Sequence, residues 1–138
     1  MRCSFSRYCL IVLLSCAATK AMADESLKPC PDSPNCVSSL AQDDKHHIAP
    51  MNYGGDRESA RLRLLAVLSQ FENTEIVEDT APYLRVTVTS AVLRFVDDVT
   101  FFFDDENALI QMRSASRSGY YDFGANRRRL EGIRQLYE

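Results

Sequence analysis

The sequence predicts an α+β fold of two layers: a four-stranded antiparallel sheet, two helices on one face, and an N-terminal arm closed by a disulfide. Three observations predict it. Apolar residues follow a helical period, then a period of two over four short segments, then a helical period again. The connections between these segments are short, which favours neighbours in sequence as neighbours in space. A polar stretch with two closely spaced cysteines precedes them all.

Residues 24–55 are rich in Pro, Asn, Asp and Ser and show no apolar period, so they read as an extended arm. Asp56 can cap a helix reaching about Phe71, because Ala60, Leu64, Val67, Leu68 and Phe71 fall on one face. Four strands are then expected: Glu75 to Glu78, Tyr83 to Ser90, Phe95 to Asp104, and Ala108 to about Ser116. Leu84, Val86 and Val88 alternate with Arg85, Thr87 and Thr89, and Asp105-Glu106-Asn107 makes a hairpin-sized link. A second helix runs from about Phe123, with Phe123, Leu130, Ile133 and Tyr137 on one face. Residues 56–138 thus form the core, and 24–138 one domain. Phe101 and Phe103 point one way and Phe102 the other, so the sheet face away from the helices is expected to be covered, most simply by the arm.

The first 23 residues read as an export signal. Arg2 and Arg7 open it, Cys9 to Ala18 is apolar, and Ala21-Met22-Ala23 fits a small-x-small cleavage site. The apolar run is too short to span a bilayer. A second route is a lipoprotein signal over residues 1–15, with Leu13-Leu14-Ser15-Cys16 as the box and Cys16 lipidated. That route leaves a very short apolar segment, and cleavage after Ala23 is preferred. Either way export is expected, to a periplasm or the exterior, with the membrane reached only on the second route, by a lipid anchor at Cys16.

Cys3, Cys9 and Cys16 lie within the signal, which leaves Cys30 and Cys36 for one structural disulfide in an oxidising compartment. Their spacing is not that of a redox C-x-x-C motif, and too few further ligands lie nearby for zinc. Asp43-Asp44-Lys45-His46-His47 holds both histidines of the chain. Adjacent ligands interrupted by a lysine suit a solvated loop better than a metal site, and no metal or cofactor is expected.

The net charge is −3, and the signal carries Arg2, Arg7 and Lys20, so the exported part is more acidic still. A net acidic surface argues against nucleic-acid binding. The charge is uneven: residues 97–106 hold five acids and no base, while 113–134 hold six arginines and two acids. This asymmetry points to internal pairing or a local anion site.

The stretch Arg113 to Arg129 concentrates the polar residues. Extending the strand period places Ser114 and Ser116 on the core face, with Arg113 and Arg117 on the other. Gly119 turns the chain and Asp122 can cap the last helix. Arg127, Arg128 and Arg129 then stand near a helix N-terminus, against its dipole, and need a negative partner. Asp97 and Asp98 can supply one, and so can a bound carboxylate or phosphate. The candidate ligand-binding residues are therefore Arg113, Ser114, Ser116, Arg117, Asp97, Asp98, Asp122, Asn126 and Arg127. An Arg/Asp network tying sheet to helix is the competing reading. Catalysis by Ser114 or Ser116 lacks a histidine base in this region, and adjacent Asp97 and Asp98 point to opposite faces. No catalytic residue is assigned.

Three segments carry a resemblance. Cys30 to Ser39 reads C-P-D-S-P-N-C-V-S-S, Arg94 to Val99 reads R-F-V-D-D-V, and Arg113 to Arg127 reads R-S-A-S-R-S-G-Y-Y-D-F-G-A-N-R. In this order they resemble the family of domain of unknown function 1499, over nearly the whole exported chain. The resemblance implies a bacterial exported or membrane-associated protein, with no established activity, substrate or cofactor. The expected function is non-enzymatic binding of an anionic small molecule, a lipid headgroup or a protein partner in the cell envelope. A hydrolase using Asp97 or Asp98 with Ser114 or Ser116, and a purely structural envelope component, are the alternatives.

Overall fold

The computed structural model describes residues 27–138. The expected signal peptide, its alternative lipoprotein form and Cys16 lie outside these residues. The architecture is α+β, with a mostly antiparallel sheet and two helices.

Six strands form the sheet, rather than four. They are β1 (Cys36–Ser38), β2 (Met51–Asn52), β3 (Thr74–Thr80), β4 (Tyr83–Thr89), β5 (Val96–Asp104) and β6 (Leu109–Ser116). The order across the sheet is β1-β6-β5-β4-β3, with β2 also paired to β6. The two additional strands come from the arm. Cys36 lies opposite Ala115 at one end of β6, and Met51 lies opposite Ile110 at the other. Together they occupy an edge whose backbone groups would otherwise be unpaired. Strands of three and two residues show no period of two, which is why the arm reads as irregular in sequence.

Helix α1 (Arg57–Leu68) starts at Asp56, whose carboxylate accepts the backbone N–H of Ser59 at 2.9 Å and its hydroxyl at 2.8 Å. Helix α2 is Ala125–Tyr137, beginning two residues later than the apolar pattern suggests. The stripe of α2 buries Asn126, Leu130, Ile133 and Tyr137. With Leu64, Val67 and Leu68 of α1 it shares one core with Leu84, Val86, Val99, Phe101, Ile110 and Met112. No helix of the described residues is long and apolar enough to cross a membrane.

Among the described residues the arm packs chiefly on the helix side of the sheet, and its Ser39 hydroxyl reaches Gln111 on the far face. Its Val37, Ile48, Met51 and Tyr53 join the same core as the helices. Phe102, on the far face, packs instead on Tyr83 of the next strand, with ring centroids 5.2 Å apart. The Arg85 guanidinium lies 5.3 Å from the Tyr83 ring. A cross-strand aromatic pair with a long cation over its tyrosine shields part of that phenylalanine. Cys30 and Cys36 are joined by a disulfide at the β1 end of the arm.

Candidate functional site

The two faces of β6 carry different chemistry. On the core face, Ser114 is fully buried and its hydroxyl donates to Asn126 Oδ1 at 2.5 Å. Arg129 reaches in from α2 and donates through Nη1 to the same Oδ1 at 2.8 Å and to Ser114 Oγ at 3.1 Å. Its Nη2 donates to Asp97 Oδ2 at 2.6 Å. Both members of this ion pair are largely shielded from water, with side-chain exposures of 14% and 9%.

Asn126 is the hub of the cluster. Its oxygen accepts from Ser114 and Arg129, while Nδ2 faces Asp122 Oδ2 at 2.9 Å, Ser116 Oγ at 3.0 Å and the Asn35 carbonyl at 3.1 Å. Only a primary amide offers an acceptor on one side and donors on the other at this length. Asn35 in turn donates from Nδ2 to the Gly119 carbonyl at 2.6 Å, and its own carbonyl accepts Ser116 N–H at 3.0 Å. The disulfide-bound arm, the end of β6, the following turn and the start of α2 are thus fastened at one point.

Asp122 completes the frame. Its carboxylate accepts the backbone N–H groups of Gly124 and Asn126, both at 2.9 Å, so it caps α2 from three residues before the first helical residue. Burial pushes its carboxyl up, but these hydrogen bonds and that of the Asn126 side chain outweigh burial and hold it below the usual range. Gly124 takes φ 77°, and a Cβ there would meet Arg128 Nη1 at 3.1 Å, so glycine suits this helix entry on both counts.

The arginines are distributed rather than gathered around an opening. Arg117 forks onto Asp98 at 2.7 to 3.1 Å, in a pair that is about half exposed. Arg127 donates to the His47 carbonyl at 2.8 Å and the Lys45 carbonyl at 3.0 Å. Arg134, two turns on, donates to the Pro50 carbonyl at 2.7 Å and to that of Ala49. Both therefore pin the arm to α2. Arg128 donates to the Phe123 carbonyl at 2.6 Å. Asp97 and Asp98 face opposite sides of β5, so each takes a different arginine.

Arg113 is the exception. It lies on the far face of β6, opposite Thr100 of β5 and Ser38 of β1. It makes no hydrogen bond or ion pair among the described residues, and its Nε is buried without an acceptor. Burial lowers its pKa, with the charge of Asp98 acting in the opposite direction. A half-buried guanidinium with an unused donor suits a carboxylate or phosphate oxygen.

The sequence names Arg129 only with Arg127 and Arg128 as a cation needing a partner such as Asp97 or Asp98, not among the candidate site residues, and it does not single out Asn35. The usable signal for Arg129 was its position three residues after Asn126, on the margin of the stripe that continues through Leu130 and Ile133. Asn35 gave no signal beyond its place in the motif beside Cys36.

Neither Ser114 nor Ser116 donates to a carboxylate or an imidazole among the described residues. The Ser114 proton is directed at an amide oxygen, and Ser116 Oγ accepts from Asn126. In the arm, His46 is buried, with Nδ1 2.8 Å from Asp43 and Nε2 3.2 Å from the Ser33 carbonyl. An open cleft of about 510 Å³ lies at the other end of the sheet, beside Tyr53, Arg57 and Asp105. The Tyr53 hydroxyl there donates to Asp105, and burial together with that hydrogen bond raises its pKa to about 12.

These features define a small α+β domain whose arm is woven into its sheet and whose densest polar cluster is an internal frame. The chain belongs to the family described as protein of unknown function (DUF1499), whose model matches residues 26–136. No curated protein and no solved structure matches the chain.

Proposed function

We propose that the protein is a non-enzymatic exported domain of the cell envelope that holds an anionic group at Arg113. The group belongs to a small molecule, a lipid headgroup or a protein partner. The observation that carries this reading is the buried, unused Nε–H of Arg113, on a face where the neighbouring Arg85 and Arg117 are already paired with Glu78 and Asp98. The hydroxyl-bearing residues Thr100 and Ser38 flank it in register and offer further donors. Export is supported by the Cys30–Cys36 disulfide together with the apolar, basic-flanked start of the sequence.

The Asp97–Arg129–Asn126–Ser114 cluster supports a structural reading for the rest of the motif. A hydrolase would need a serine hydroxyl facing a base in an open cleft, and Ser114 faces an amide in the core. The binding reading is tested by thermal shift of the purified protein against inorganic phosphate, citrate and glycerol phosphate. A ligand at a hundred times its dissociation constant adds about 2.7 kcal/mol of stability, several degrees in melting temperature for a domain of this size. The shift is expected with at least one anion and absent in Arg113→Gln. No shift with any anion, or one that survives Arg113→Gln, overturns it.

A further inference from the structure

The end of the sheet where β6 meets α2 carries six large apolar side chains in the open. The β4–β5 connection exposes Val92 (87%), Leu93 (67%) and Phe95 (48%), and the β6–α2 connection exposes Tyr120 (70%), Tyr121 (62%) and Phe123 (79%). The two loops are neighbours, because Arg117 N–H donates to the Val96 carbonyl at 2.9 Å; Ser90 N–H closes the β4–β5 connection on its own Phe95 carbonyl at 2.8 Å. Scattered exposed hydrophobic residues need no explanation, but six on adjoining loops form a patch that does. Two of the loop residues, Arg94 (φ 57°) and Phe123 (φ 54°), hold left-handed backbone conformations that side chains disfavour. Phe123 projects its ring into solvent from that strained position, edge-on to Tyr121 at 5.2 Å.

From this arrangement we infer that this end of the domain docks on a lipid surface bearing anionic headgroups, with Val92, Leu93 and Phe123 entering the interface. Two properties select a bilayer over another occupant. The first is charge. Arg94 is exposed and without a partner among the described residues, and Arg128 is exposed beside Phe123. Asp122 is the single acid of the two loops, and its carboxylate is turned inward onto α2. Apolar tips ringed by arginines match an acyl boundary beneath phosphates. The second is chemistry. Tyrosines 120 and 121 combine an apolar ring with a polar tip, the type that settles at headgroup depth. This surface is distinct from Arg113, and either reading can fail alone.

Hydrogen exchange of the full chain tests it, with and without vesicles of phosphatidylethanolamine and phosphatidylglycerol. Vesicles are expected to slow exchange several-fold at residues 91–95 and 118–123, and to leave the 105–108 turn at the far end unchanged. The decisive comparison is the double variant Leu93→Ser with Phe123→Ser, which leaves the N-terminal segment as it is. Both side chains are exposed, so the fold is retained, and the local protection is expected to disappear. The inference is overturned if vesicles leave the two loops unprotected, or if the protection survives the double variant. Protection without vesicles that rises with protein concentration assigns the patch to a second copy and also overturns it.

Discussion

Asp97 of β5 accepts a hydrogen bond from Arg129 of α2 at 2.6 Å across 32 positions of sequence, and this contact joins sheet to helix beneath Ser114. A shielded pair contributes little net energy when formed but is costly to break, because the survivor is left desolvated. Arg129→Ala and Asp97→Ala should each lower unfolding free energy by about 3–5 kcal/mol, read by urea denaturation. Arg117→Ala, which breaks a half-exposed pair with Asp98, should cost under about 1 kcal/mol. Equal losses for Arg117 and Arg129 would contradict this division into surface pair and internal frame.

Asn126→Asp is expected to be more damaging than its size suggests. The new carboxylate keeps an acceptor for Ser114 and Arg129 but turns a second oxygen toward Asp122, 2.9 Å from the present Nδ2. Like charges at that distance cannot both remain ionised without cost. The variant should lose about 2 kcal/mol or more at neutral pH and recover part of it in acid, as one carboxyl takes a proton. Stability independent of pH relative to wild type would refute the hub assignment.

Asp122 gives the pH dependence its sign. Its folded pKa is held below the unfolded value, so its contribution is complete above the unfolded pKa of about 4 and is lost as pH falls through the folded one. Asp122→Ala should therefore cost about 0.5–2 kcal/mol at pH 7, with the gap to wild type closing in acid. Paired denaturation curves at neutral and acid pH measure it, and a gap that widens in acid would reverse the argument.

Removing the disulfide by Cys30→Ser with Cys36→Ser frees a short loop, which on the chain-entropy account costs about 2 kcal/mol. Asn35 sits beside that loop, so its contacts with Gly119 and Asn126 should loosen as well. Faster amide exchange at Ser116, whose N–H is held by the Asn35 carbonyl, reports this directly. Unchanged exchange there would separate the disulfide from the frame.

Much of this arrangement could be read before the structure. The period of two, continued through Ser116, separates the serines from Arg113 and Arg117, and the structure places Ser114 in the core and Arg113 on the far face. The Asp56 cap is likewise a local signal. The arm was not legible, because β1 and β2 are defined by backbone bonds to β6 more than fifty residues away, not by any pattern of their own. Arg127, Arg128 and Arg129 look alike in sequence. Helix phase sends the last to Asp97 and the first to carbonyls of an arm whose path the sequence does not reveal.

The proposed role of Arg113 is to hold an anion through a donor that no described residue uses. The most direct measurement is an NMR titration of the protein with inorganic phosphate, following the arginine Nε–Hε signals and the backbone amides. The account predicts that Arg113 Nε–H moves first and saturably, accompanied by the amides of Thr100 and Ser38, while Arg129 stays fixed on Asp97. An unmoved Arg113, or saturable shifts confined to Arg117 and Arg127, would contradict it.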